Sequence, residues 1–209
     1  MGIITAELTK GGYLYKTGSN WSTLENSTTA TFTDVAPPEA KAGATYDGST
    51  YELFRTYISF DTNILIGASV SNITLNIYWD PFPDGGKIAG LESPKSLSTT
   101  LNTSHFDKTT FGSFYFNISP AGTFSSITLN NDAINDAITG ELNIVLIEQT
   151  HDYSTGTLPI GEESGRYIKY NTPGLYPYIQ YTLVNKVNGI NNYGKVNGIE
   201  PPFKINGVV

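Results

Sequence analysis

Apolar and polar residues alternate along this chain in short runs separated by clusters of Gly, Pro, Asn and Asp, and a period of two is the mark of strands. The alternation, with its β-branched and aromatic enrichment, predicts strands at Tyr13–Thr17, Thr29–Val35, Tyr51–Phe60, Asn72–Trp79, Gly112–Ile118, Ser125–Leu129, Leu142–Gln149, Arg166–Tyr170 and Tyr176–Val184. In "NITLNIYW" the residues Ile73, Leu75, Ile77 and Trp79 share one face and Thr74, Asn76 and Tyr78 the other, so a half-buried strand is expected. In "LNIVLIEQ" Leu142, Ile144 and Leu146 point one way and Val145 and Ile147 the other, as in a central strand covered on both faces.

Only "NNDAINDAITG" carries a helical pattern, with Asn131 or Asp132 as N-cap, Ile134 and Ile138 four apart, and Gly140 as the stop. The stretches "VAPPEAKAG", "WDPFPDGG", "NTPGLYP", "GKIAG" and "GASVS" read as turns and loops. Many short strands with one small helix favour an all-β fold, a β-sandwich of jelly-roll type, because parallel sheets need regular crossover helices. That body is expected to occupy residues 1–184.

The remainder, 185–209, repeats. Lys186-Val187-Asn188-Gly189-Ile190 returns as Lys195-Val196-Asn197-Gly198-Ile199 and again as Lys204-Ile205-Asn206-Gly207-Val208. Each Asn-Gly pair suits a type I′ turn, in which both central residues need positive φ. The tail is therefore either a small meander of hairpins or a series of extended segments separated by kinks. Neither buries much surface alone, so the segment is expected to pack on its own body or on a neighbouring subunit.

Composition narrows the chemistry. Charged residues are 15% of the chain and the net charge is −7, with no basic patch, which argues against nucleic acid as a partner. There are no cysteines, so disulfides and thiolate metal sites are excluded. The start, "MGIITAELTKGGYLYKTGSNW", lacks a positive region followed by an apolar run, and no apolar stretch is long enough to span a membrane. These features lead to the expectation of a protein made in a host cytoplasm that acts as part of a particle.

The segment "RTYISFDTNILIGASVSNITLNIYW", Arg55 to Trp79, resembles the paired strands of DNRLRE-type jelly-roll domains, which are related to a family of carbohydrate-binding modules. The stretches "ITLNNDAINDAITGELNIVLIEQ" and "EESGRYIKYNTPGLYPYIQYTL" are similar to that group's short helix with its following strand and to its final strand pair. The repeated Lys-Val-Asn-Gly-Ile ending looks like the C-termini of tailed-phage virion proteins. Together the resemblances imply a non-enzymatic virion component, associated with capsid, collar or tail, that is homo-oligomeric and binds other virion proteins. The assembly residues would be Val187, Asn188, Gly189, Ile190, Val196, Asn197, Gly198, Ile199, Ile205, Asn206 and Gly207. The alternative is a carbohydrate-binding module or adhesin that recognises host-surface glycans.

Sugar rings stack on aromatic faces through their C–H groups, and Trp21, Trp79 and Phe82 are the candidates for such a platform, although Trp79 also continues the apolar face of its strand. Arg55 and Arg166, the only arginines, are expected to form structural ion pairs, with Glu52, Asp61, Glu148 and Glu162 as candidate partners. His105 and His151 lack metal-ligand spacing. Carboxylates such as Glu162–Glu163, Asp80 with Asp84, or Asp152 are available for glycan hydrolysis, but nothing marks a pair as catalytic. No cofactor fingerprint is present.

Overall fold

A computed structural model describes residues 2–5, 11–35, 37–80, 86–96, 98–159, 161–170, 172–187 and 190–193. Thirteen strands form one curled sheet: β1 (Gly2–Thr5), β2 (Gly12–Gly18), β3 (Phe32–Val35), β4 (Glu39–Tyr46), β5 (Tyr51–Asp61), β6 (Val70–Asp80), β7 (Ile88–Glu92), β8 (Phe114–Ile118), β9 (Phe124–Thr128), β10 (Glu141–Glu148), β11 (Glu163–Lys169), β12 (Tyr178–Val187) and β13 (Ile190–Tyr193). Every ladder is antiparallel. Two short α-helices, α1 (Trp21–Glu25) and α2 (Asn131–Ala137), cover parts of it. No helix among the described residues is long and apolar enough to cross a membrane.

The path through the sheet is β1-β12-β6-β11-β4-β5-β10-β7-β8. Its curl comes from strands whose pairing changes along their length. The first half of β5 pairs with β4 through Gly43↔Phe54 to Tyr46↔Tyr51, while its second half pairs with β10 from Leu146↔Thr56 to Glu141↔Asp61. In turn β4 pairs along its length with β11, and β11 reaches the end of β6 at Tyr167↔Asp80.

Two apolar cores result, one on each side of the β5–β10 pair. Ile58, Phe60, Leu142, Ile144 and Leu146 join Ile73, Leu75, Ile77 and Trp79 in the first, capped by Ala133 and Ala137 of α2. Leu53, Tyr57, Val145 and Ile147 join Leu14, Trp21, Leu24 and Phe106 in the second. Strand β10 is thus buried on both faces, as its unbroken apolar run requires. The opposite reading of β6 holds in part: Ile73, Leu75 and Ile77 are fully buried and Thr74 and Tyr78 are not, but Asn76, on the polar face, is buried as well.

The expected strands all form, with ends shifted by a few residues, but two stretches read as loops are strands. "PPEAKAG" leads into β4, and Ile88, Ala89 and Gly90 of "GKIAG" lie in β7. Helical structure is also richer than the single segment expected: α1 is capped by the Asn20 side chain on the Thr23 N–H, and 3-10 turns and a π-turn at Gln149–Tyr153 follow. The cap of α2 is Asn130, whose side chain accepts from the Ala133 N–H, one residue before the expected Asn131.

Candidate functional site

Alternation places one set of side chains from five neighbouring strands on a face that the first core leaves uncovered. From β5 come Glu52 and Phe54; beyond Thr56 the same row continues into the core as Ile58 and Phe60. The rows beside it contribute Tyr13 and Tyr15 of β2, Phe32 and Asp34 of β3, Lys41 and Thr45 of β4, and Glu163 and Tyr167 of β11. Five aromatic rings therefore share this face. Tyr15 and Phe54 stack with centroids 5.3 Å apart, Tyr15 meets Phe32 at 5.5 Å, and Tyr13 lies 6.2 Å from Phe54 and 6.4 Å from Phe32. Phe32 is 45% exposed and the other rings are half-buried, so the cluster is a surface rather than a core.

Between Phe54 and Tyr167 lies the Lys41 ammonium, 4.2 Å from the first ring's centroid and 5.5 Å from the second's. Burial lowers its pKa, and the carboxylates of Glu163 and Glu52 oppose that shift. Tyr13 and Tyr167 titrate above the ordinary phenol range, chiefly from burial, with Asp34 adding to the shift at Tyr13 and Glu163 at Tyr167.

A hollow of about 360 Å³ is lined by Tyr13, Glu39, Lys41, Glu52, Phe54 and Tyr167. A second, of about 330 Å³, is lined by Thr45, Tyr46, Asp47, Thr50, Glu52, Gly161 and Glu163. They share Glu52, which accepts a hydrogen bond from Thr45 Oγ1 at 3.1 Å. Between the Lys41–Tyr167 and Thr45–Glu163 pairs the register sets Gly43 opposite Gly165, so the strip joining the hollows is bare backbone. A Cβ on Gly43 would lie 2.6 Å from the Ser164 carbonyl oxygen, and Gly165, at φ 147°, would place one 2.4 Å from that of Ala42. Backbone closeness thus requires the two glycines, and both lie buried between the two hollows.

Beneath the opposite face, Arg55 is fully buried. Its Nε and Nη2 donate to Asp152 at 2.8 and 2.6 Å, Nη2 also donates to the Glu25 carbonyl at 2.9 Å, and Nη1 donates to that of Phe106. Burial pulls the guanidinium pKa down, but the adjacent Asp152 outweighs it and holds the group above its ordinary value. Asp152 is presented by the π-turn, whose Thr150, His151 and Asp152 N–H groups all donate to the buried Glu148 carboxylate. One cation thereby fastens α1, the Phe106 turn and the π-turn over the second core.

This geometry corrects several expectations. The partner of Arg55 is Asp152, outside the four carboxylates considered for it. Arg166 donates to the carbonyls of Gly165 and Pro120 at 3.1 and 3.0 Å, and to no acid among the described residues. Trp79 is 1% exposed and belongs to the first core, so it is no platform for a sugar. Trp21 is 6% exposed and packs against Tyr51 at 5.6 Å; it borders a polar hollow of about 490 Å³ with Asn20, Glu25 and Thr155, but its ring is not displayed. Phe82 lies outside the described residues, as do Asn188, Gly189, Val196, Asn197, Gly198, Ile199, Ile205, Asn206 and Gly207. Of the carboxylates considered for catalysis, Asp152 is held by Arg55 and Asp80 by Lys169. Among the described residues no group of three or more His, Asp or Glu is placed to hold a metal ion.

No protein-family model matches the chain, and no curated protein matches it.

Proposed function

We propose that this chain is a non-enzymatic jelly-roll β-sandwich of a tailed-phage virion that recognises glycans through its open aromatic face and is mounted on the particle by its C-terminal repeats. The observation that carries the binding role is the five-ring face itself: Tyr13, Tyr15, Phe32, Phe54 and Tyr167 share one face, and Tyr13, Phe54 and Tyr167 line the hollow of about 360 Å³ beside it. Stacked rings left at the surface forgo burial that a core position would give them, and a pyranose presenting its C–H face recovers it. Carboxylates and hydroxyls around the rings supply acceptors and donors for sugar hydroxyls, the usual division of labour in a binding site. A glycan array probed with the full chain tests this: binding to a defined set of saccharides is expected, and a blank array across neutral, amino and acidic sugars rejects the role.

The mounting role is supported by the first repeat. Strand β12 continues past Val184 and pairs with β13 from Val184↔Tyr193 to Val187↔Ile190. Such a ribbon can add to a sheet edge on a partner through main-chain hydrogen bonds. The β6 partners of β12 end at Leu183, so a chain ending at Val184 keeps that ladder whole. Light scattering should show the full chain as a defined oligomer and the shortened chain as a folded monomer; equal masses would reject self-assembly through the repeats.

A further inference from the structure

Resting on the glycan-binding reading, we infer that the aromatic face selects saccharides bearing free amino groups. The charge around the rings is one-sided. Asp34, Glu39, Glu52, Asp80 and Glu163 border or adjoin the face, against Lys41 and Lys169. Both cations are already engaged: Lys169 is paired with Glu39 and Asp80, and Lys41 is 8% exposed, its ammonium held against the rings of Phe54 and Tyr167. Among the described residues an acidic sugar would meet carboxylates with no available counter-charge, whereas an ammonium would meet complementary potential.

Lys41 also provides an internal template. Its ammonium lies over an aromatic ring with Glu52 and Glu163 acting on it electrostatically, which is the environment that a protonated amino sugar requires. On β2 and β3 the same elements recur without a lysine on the face: Tyr13, Tyr15 and Phe32 cluster around the strand pair Tyr13↔Asp34. The charge of Asp34 is felt at the Tyr13 hydroxyl. A pyranose stacked on these rings would set its amino group among Asp34, Tyr13 and the neighbouring rings, while the next sugar extends past Phe54 toward the Glu52 hollow.

Calorimetry on the full chain tests this with the β-1,4-linked glucosamine tetramer, its N-acetylated counterpart and a galacturonate tetramer, at about pH 6, where such amines are protonated and carboxylates ionised. The amine-bearing tetramer is expected to bind about tenfold more tightly than the N-acetylated one, the uronate weakest, and the preference to shrink as salt rises. Asp34→Asn combined with Glu52→Gln should narrow the amine preference to about twofold. Equal or reversed affinities in the unaltered chain overturn the inference, as does a preference that persists in the double variant. Binding of other glycans but neither glucosamine oligomer overturns it while leaving the glycan reading intact; binding of no saccharide removes both.

Discussion

Replacing Arg55 with Met is expected to destabilise the fold by about 3–5 kcal/mol, a large share of the roughly 5–15 kcal/mol available to a domain. The cost has two sources. Asp152, with no exposed surface, loses its bidentate partner, and the carbonyls of Glu25 and Phe106 lose their donors. Removing both charges in Arg55→Met with Asp152→Leu leaves no buried ion uncompensated, and most of the loss should return. Urea unfolding midpoints for the three chains decide the point. A single Arg55→Met chain within about 1 kcal/mol of the parent would mean that solvent reaches Asp152 and that the three loops are held by their apolar contacts alone.

The second large effect is on binding. Tyr15→Ala combined with Phe54→Ala removes the stacked pair at the centre of the face, and saccharide affinity should fall about 30- to 1000-fold, corresponding to about 2–4 kcal/mol. Both rings are half-buried, and β2, β4 and β5 keep their main-chain ladders, so the variant should remain folded by circular dichroism. Undiminished affinity in a folded double variant would shift attention to the polar hollow beside Trp21.

Where alternation was strong, the chain declared its strands, and the two-sided burial of β10 was readable, as was the one-sided burial of β6 except at Asn76. Strand β4 was not, because "EAKAGATY" is built from small residues that carry little strand preference. Ala40, Ala42 and Ala44 are fully buried, and the strand is imposed by β5 and β11, partners that lie later in the chain. In β7 the place of a side chain at Gly90 is taken by the Phe116 ring of β8, another non-local cause.

The aromatic face was hidden for a related reason. Its rings come from four strands, and each looks ordinary in its own segment. The available signal was "YLY": with Leu14 turned inward, Tyr13 and Tyr15 had to face the other way together. Attention to tryptophan pointed elsewhere, since Trp79 completes an apolar row and Trp21 closes a core. The partner of Arg55 was beyond sequence logic, because a π-turn nearly a hundred residues away delivers Asp152.

The placement of β12 has a mechanical meaning for a chain held by its C-terminal segment. Tension drawn through β13 and β12 enters the body between β1 on one edge and β6 on the other. Pulled along its own axis, β12 loads the hydrogen bonds of both ladders side by side, in shear, and they must yield together. A strand peeled from a free edge would instead surrender its bonds one at a time. A pull on that segment would therefore meet β12 in the orientation that best resists extraction, and the aromatic face lies on strands that such a pull would not directly load.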